Sequence, residues 1–272
     1  MKYILLAGGL MAAFSVNAQH TLSKLWQTDT VLAIPESVKL DPNSQILYVS
    51  LIDGDGSAKD GKGGVAKLGT GGTIINADWV TGLNAPKGLG IYGDLLYVAD
   101  ITEVVVIRIS EGKVVKKIPV DGAVFLNDIT IDKNGVVYVS DSRKNTVHQI
   151  IRDQPVLFAD DLPNANGVLA VGTDVYVLAS GDLWKFDNKK QKTKIAGGME
   201  KSTDGIEMVA PNEFIVSCWA GVIYYVKDGQ AEQMLDTRAE KSNTADIGYD
   251  SQNHIVYVPT FMKKSVAAYQ LK

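Results

Sequence analysis

Short apolar runs rich in Val, Ile, Leu and Tyr recur along the chain, each bounded by Gly, Asp, Asn or Pro, and no stretch sustains a capped 3.6-residue period. That pattern predicts strands joined by tight turns and almost no helix. Residues 126–142, LNDITIDKNGVVYVSDS, show the unit at its clearest. A polar pair, Asn127-Asp128, leads into a strand with Ile129 and Ile131. Asp132-Lys133-Asn134-Gly135 turns the chain, and Val136, Val137, Tyr138 and Val139 return it.

The returning strand repeats as Leu47-Tyr48-Val49-Ser50, Leu96-Tyr97-Val98-Ala99, Val137-Tyr138-Val139-Ser140, Val175-Tyr176-Val177-Leu178, Phe214-Ile215-Val216-Ser217 and Val256-Tyr257-Val258-Pro259. The copies lie roughly 40 residues apart, the period of four-stranded propeller blades. Strands such as Val104-Val105-Val106-Ile107 are apolar on both faces, as sheets packed face to face in a ring require. An open β-sandwich, the competing architecture, gives no reason for six equal units. The expected fold is therefore all-β, a six-bladed β-propeller. The sixth repeat supplies only three strands, so residues 22–28 are expected to add its outer strand and close the ring. Residues 52–63, IDGDGSAKDGKG, interrupt blade one between its second and third strands and read as a mobile loop.

Export shortens the chain to be folded. Lys2, the apolar run over residues 4–14 and the small-residue ending Val16-Asn17-Ala18 form a secretory signal peptide over residues 1–18, with cleavage expected after Ala18. Its apolar run is too short to span a bilayer, so no membrane span is expected after cleavage. Residues 19–272 then form one propeller domain, periplasmic or secreted. The single cysteine, Cys218, has no internal partner and reads as a small buried hydrophobe. A formal net charge of −4 offers nothing to hold a nucleic-acid backbone. Residues 56–63, GSAKDGKG, nearly spell a phosphate-binding loop, but Gly63 replaces the metal-holding hydroxyl and no helix follows, so no nucleotide partner is expected. The Asp53-Gly54-Asp55 start likewise lacks the glutamate that closes an EF-hand loop.

The heads of the six inner strands carry the candidate chemistry. In a propeller they converge on the axis, and here they bring Glu36, Lys87, Asn127 with Asp128, Asn166, Asp204 and Asp246. Oxygen ligands without histidine or thiolate favour Ca²⁺, with Mg²⁺ or Mn²⁺ behind it. Asp and Asn in these places also form turns by bonding their own backbone, so Asn166, Asp204 and Asp246 admit that reading as well. Glu36 does not, because a glutamate at a crowded axis is costly unless paired or metal-bound. Lys87 either neutralises the carboxylates or holds an anionic substrate group. Loops between second and third strands open on the same face, so the insert over residues 52–63, Cys218-Trp219 and Phe261-Met262 are placed to line or cover a pocket, the aromatics either against substrate or as ordinary packing between blades.

With Glu36 in the first head, LNDI at residues 126–129, Asn166-Gly167 and Asp204-Gly205 at successive heads, the chain resembles the SMP-30/gluconolactonase family of six-bladed propellers and, more distantly, the paraoxonases. The resemblance covers essentially all of residues 19–272. It implies one divalent cation held by Glu36, Asn127, Asn166 and Asp204, and hydrolysis of lactones or related esters. Asp204 is the general base that the resemblance carries over, with Asp128 and Asp246 as alternatives, while Asn127, Lys87, Trp219 and Phe261 would contact the small-molecule substrate. Two positions depart from the family pattern. Phe125 stands where sugar lactonases carry an arginine, and Lys87 stands where paraoxonases carry a catalytic histidine. Neither His148, in a third strand, nor His254, in a turn on the opposite face, can take that histidine's place. A non-catalytic binding propeller that keeps a structural cation is the alternative function.

Overall fold

A computed structural model describes residues 20–272, so the signal peptide expected over residues 1–18 lies outside the described residues. Six four-stranded antiparallel sheets follow one another. Their inner strands are Pro35–Asp41, Pro86–Tyr92, Leu126–Ile131, Ala165–Val171, Thr203–Ala210 and Gly248–Asp250, in blades one to six. The only helix among the described residues is a single 3-10 turn, Phe261–Lys263, and none is long and apolar enough to cross a membrane. Each hairpin is closed by local chemistry. At residues 132–135, Asp132 Oδ1 accepts from the amides of Asn134 (2.8 Å) and Val136 (2.9 Å), and Gly135 takes the left-handed φ of +80°.

The ring closes as the three-strand sixth repeat requires. Leu22–Gln27 pairs antiparallel with Val266–Leu271 and completes the sheet of blade six, with Trp26 opposite Ala268. Six hydrophobic clusters occupy the six seams between neighbouring blades, and this is why the middle strands are apolar on both faces. Tyr176 and Leu178 of blade four meet Phe214 and Val216 of blade five. The seam between blades six and one packs Tyr257 and Val266 against Val38 and Leu47, so closure is sealed by burial as well as by strand pairing.

A break in register recurs at the head of blades one to five, between Pro35 and Val38, Pro86 and Leu89, Leu126 and Ile129, Ala165 and Val168, and Thr203 and Ile206. Each break leaves two residues out of the ladder, as a β-bulge does. In blades one, three and five the penultimate serine of the returning strand accepts the freed amide: Ser50 from Ser37, Ser140 from Asp128 and Ser217 from Gly205, at 2.9, 3.0 and 2.9 Å. The second residue of each pair abuts the next blade, and three of these are glycines for lack of room. A Cβ on Gly88 would lie 2.5 Å from the Asp128 Cα, one on Gly167 2.3 Å from the Asp204 carbonyl oxygen, and one on Gly205 2.5 Å from the Ile247 amide. In blade six the head pairs with blade one instead: Ser37 bridges Asp246, and the Asp246 amide donates to the Glu36 carbonyl at 3.0 Å. That is why its inner strand is short.

Candidate functional site

The bulges sort the axial side chains into two layers. First positions of the pairs, Glu36, Lys87, Asn127, Asn166 and Asp204, line a cavity of about 350 Å³ at one mouth of the ring. Second positions are absent from its lining and lie against the neighbouring blade. By register Asp246 is a second position: Gly248 lies opposite Tyr257 as Lys39 lies opposite Tyr48, so Asp246 matches Ser37 while Ala245 matches Glu36. Asp128 and Asp246, two of the three candidate bases, therefore lie beneath the cavity and line a separate polar void of about 20 Å³ together with Lys39 and Glu207. Of the three, only Asp204 lines the upper cavity.

The orientation of the two carboxamides follows from their neighbours. Ser142 Oγ gives its single hydrogen to the Ala165 carbonyl at 2.6 Å, so it can only accept from Asn127 Nδ2, at 3.0 Å. Asn166 Nδ2 donates to Asp204 Oδ1 at 2.8 Å. Both amide nitrogens are thus drawn aside, and both amide oxygens are left with no donor. Asn127 Oδ1, Asn166 Oδ1 and Glu36 Oε2 are buried without any hydrogen-bond partner. Three unpartnered acceptor oxygens lining one cavity are costly to leave bare, and a hard cation is what such a set fits. No group of three His, Cys, Asp or Glu side chains suited to a metal stands among the described residues; this set has two carboxylates and completes itself with amide oxygens.

Electrostatics point the same way. Burial first, then the charges of Asp204 and Asp246, pushes the Glu36 carboxyl well above the usual range, with Lys87 partly opposing. Asp204 is raised by burial and by Asp246, and its bond from Asn166 opposes the shift. Lys87 is itself committed. Its ammonium donates to the carbonyls of Gly56 and Ala85, both at 2.9 Å, and lies 4.3 Å from the Phe125 ring centre.

The 52–63 insert is held, contrary to its composition. Besides the Lys87–Gly56 bond, Arg143 donates to Ser57 Oγ at 2.9 Å and Lys59 to Thr102 Oγ1 at 2.6 Å. Buried Ile52 packs with Ala85 and Ile101, and Phe261 lies against them. The insert thus forms a strap from blade one to blades two and three, with Gly56 on the cavity wall. Trp219 and Phe261 line the cavity too, edge to face at 5.5 Å. Phe261 holds a left-handed φ of +47°, a strained conformation for a side chain of that size.

Residues that escaped the sequence reading include Ser142, in a turn after the returning strand, Asn164, Lys201 and Ser202 on the cavity wall, and the Lys39–Glu207 ion pair of 2.9 Å below the site. Phe125, noted there only for departing from a family pattern, proves to be a cavity wall. Cys218 is buried as expected. His148 is half-buried in its third strand, and His254 bonds the Tyr249 hydroxyl at 2.8 Å, away from the cavity.

No protein-family model matches the chain, and no curated protein matches it in sequence. Solved structures do share the fold. A catalytically inactive virginiamycin B lyase from Staphylococcus aureus, solved with quinupristin, superposes with a TM-score of 0.65 at 12% identity over 93% of this chain and 100% of that one. A streptogramin B lyase gives 0.65 at 9% identity, over 93% of this chain and 97% of its own. A nidogen/laminin complex gives 0.66 at 12% identity, over 80% and 85%. These likenesses establish the propeller fold and do not extend to the SMP-30/gluconolactonase family.

Proposed function

We propose that the protein is a divalent-cation-dependent hydrolase of lactones or related esters, of the kind found in the SMP-30/gluconolactonase family. The observation that carries this reading is the set of three buried, donorless oxygens, on Glu36, Asn127 and Asn166, lining one cavity with the Asp204 carboxylate. Glu36, Asn127, Asn166 and Asp204 would hold the cation, Ca²⁺ in preference to Mg²⁺ or Mn²⁺. When bound, it supplies Lewis-acid polarisation of a substrate carbonyl.

The remaining chemistry falls to the chain. Asn166 fixes Asp204 through Oδ1, leaving Oδ2 as the atom that takes a proton from an attacking water. Water oxygen bonds the acyl carbon, the bond from that carbon to the ring or leaving-group oxygen breaks, and Asp204 returns the proton to the departing oxygen. Phe125, Trp219, Phe261 and Ile52 give the cavity an apolar wall. The Lys87 ammonium is engaged by two main-chain carbonyls, so it is not free to hold an anionic substrate group. Export to the periplasm or beyond belongs to this reading and rests on the leader sequence.

A binding propeller with a structural cation is favoured by one observation: Trp219 and Met262 stand 41% and 61% exposed beside the cavity mouth. Among the solved structures sharing the fold are lyases and an assembly of two proteins, so the fold itself does not choose. A panel of lactones and aryl esters, assayed with and without chelator, does. Turnover that needs the cation and drops at least 100-fold in Asp204→Asn supports the hydrolase; bound cation with no turnover on any of them supports the binding module.

A further inference from the structure

We infer that Ser142 is a positioning residue for the cation site, acting as a one-way hydrogen-bond selector that forces the Asn127 amide oxygen toward the cavity. The inference rests on the cation reading above and goes beyond it, because Ser142 belongs to none of the six inner-strand heads. Its logic is one of donor count. A serine hydroxyl has one hydrogen and two lone pairs. The Ala165 carbonyl can only accept, and at 2.6 Å it claims that hydrogen. What remains toward Asn127 is a lone pair, so the carboxamide must present Nδ2, at 3.0 Å, and Oδ1 turns the other way. The flipped amide would set Oδ1 against a lone pair and aim an N–H pair where a cation belongs. Ser142 lines the same cavity as Asn127, and its bond to Ala165 spans blades three and four, so the selector is also tied to the ring. Asn166 has its counterpart in Asp204, whose carboxylate likewise only accepts.

The test is calcium affinity by isothermal titration, with Ca²⁺ alone, on wild type, Ser142→Ala, Ser142→Thr, Asn127→Asp and the Asn127→Asp/Ser142→Ala pair. Loss of an outer partner that orients a metal ligand costs on the order of 10–100-fold in affinity, and that loss is expected for Ser142→Ala, with Ser142→Thr near wild type. In the Asn127→Asp background the same change should cost nothing, because a carboxylate offers oxygen whichever way it turns. Should Ser142→Ala not fold, Ser142→Cys, a poor acceptor, reads the same quantity. Wild-type affinity in Ser142→Ala, or an equal loss in both backgrounds, overturns the inference and leaves Ser142 as an ordinary link between blades. Absence of calcium binding by wild type overturns the cation reading itself, and this inference with it.

Discussion

Asp128 of blade three and Asp246 of blade six line one small polar void of about 20 Å³ beneath the cavity. Their outer contacts tie in the neighbouring blades: Val168 donates its amide to Asp128 Oδ2 at 2.8 Å, and Ser37 its hydroxyl to Asp246 Oδ2 at 2.5 Å. Lys39 and Glu207 face the pair from blades one and five, and Glu36 and Asp204 stand above it. Burial raises both carboxyls, Asp246 to about 6. The pair is therefore a buried plug beneath the cavity rather than a base open to substrate.

That plug makes stability depend on pH. Asp246 keeps its proton in the folded chain up to about pH 6 and releases it near 3.9 when unfolded. Between those values the folded state binds more protons, so its contribution is complete at low pH and is lost as pH rises through about 6. In chelator, the unfolding free energy of wild type minus that of Asp246→Asn should fall as pH rises from 4 to 7. A difference flat with pH, or rising, contradicts the raised Asp246 carboxyl.

The glycines at second positions should tolerate no side chain. Gly167→Ala sets a Cβ 2.3 Å from the Asp204 carbonyl oxygen, and overpacking of this kind costs about 1–3 kcal/mol. The shift would displace Asp204 and lower cation affinity as well. Gly71→Ala, which meets nothing within 4 Å, serves as the control. Chemical denaturation of both variants checks the contrast, and equal stability contradicts it.

Removing the Lys87 ammonium should free the strap. A hydrogen bond from a charged donor contributes about 1.5–3 kcal/mol, so Lys87→Met should raise the open fraction of residues 53–62 by roughly 10-fold or more. Trypsin would then cut after Lys59 and Lys62 faster by a similar factor while the blades remain intact. Unchanged cleavage would mean that Arg143 and Lys59 hold the strap without it.

Cys218 should be inert in the folded chain. Burial, then the charges of Asp204 and Glu200, pushes its thiol upward, and the thiolate is the reactive form. Iodoacetamide is expected to label it only in denaturant. Labelling of native protein at the rate of a free thiol would show that the blade-five seam opens.

The ring was legible in the residues because both faces of each middle strand are buried, which stamps the same apolar word on every blade. The heads were legible because polar residues before an apolar strand stand out. What could not be read was the layer each head residue occupies. Asp246 and Glu36 differ by one position within a bulge, and the bulge is set by close approach of a neighbouring blade, a contact between residues distant in sequence. The strap misled for the same reason: Gly, Asp and Lys bury little, but its anchors Lys87, Thr102 and Arg143 come from other blades. Lys39 and Glu207 lie on the inner strands of blades one and five, and only the ring brings them together.

Anomalous diffraction from a crystal soaked in Ca²⁺ tests most directly whether the axial oxygens form one cation site. One peak should lie within coordinating distance, about 2.3–2.6 Å, of Glu36, Asn127, Asn166 and Asp204 oxygens, and it should vanish in Glu36→Gln/Asp204→Asn. No peak there at saturating calcium, or a peak bound only by the Asp128–Asp246 pair below, would contradict it.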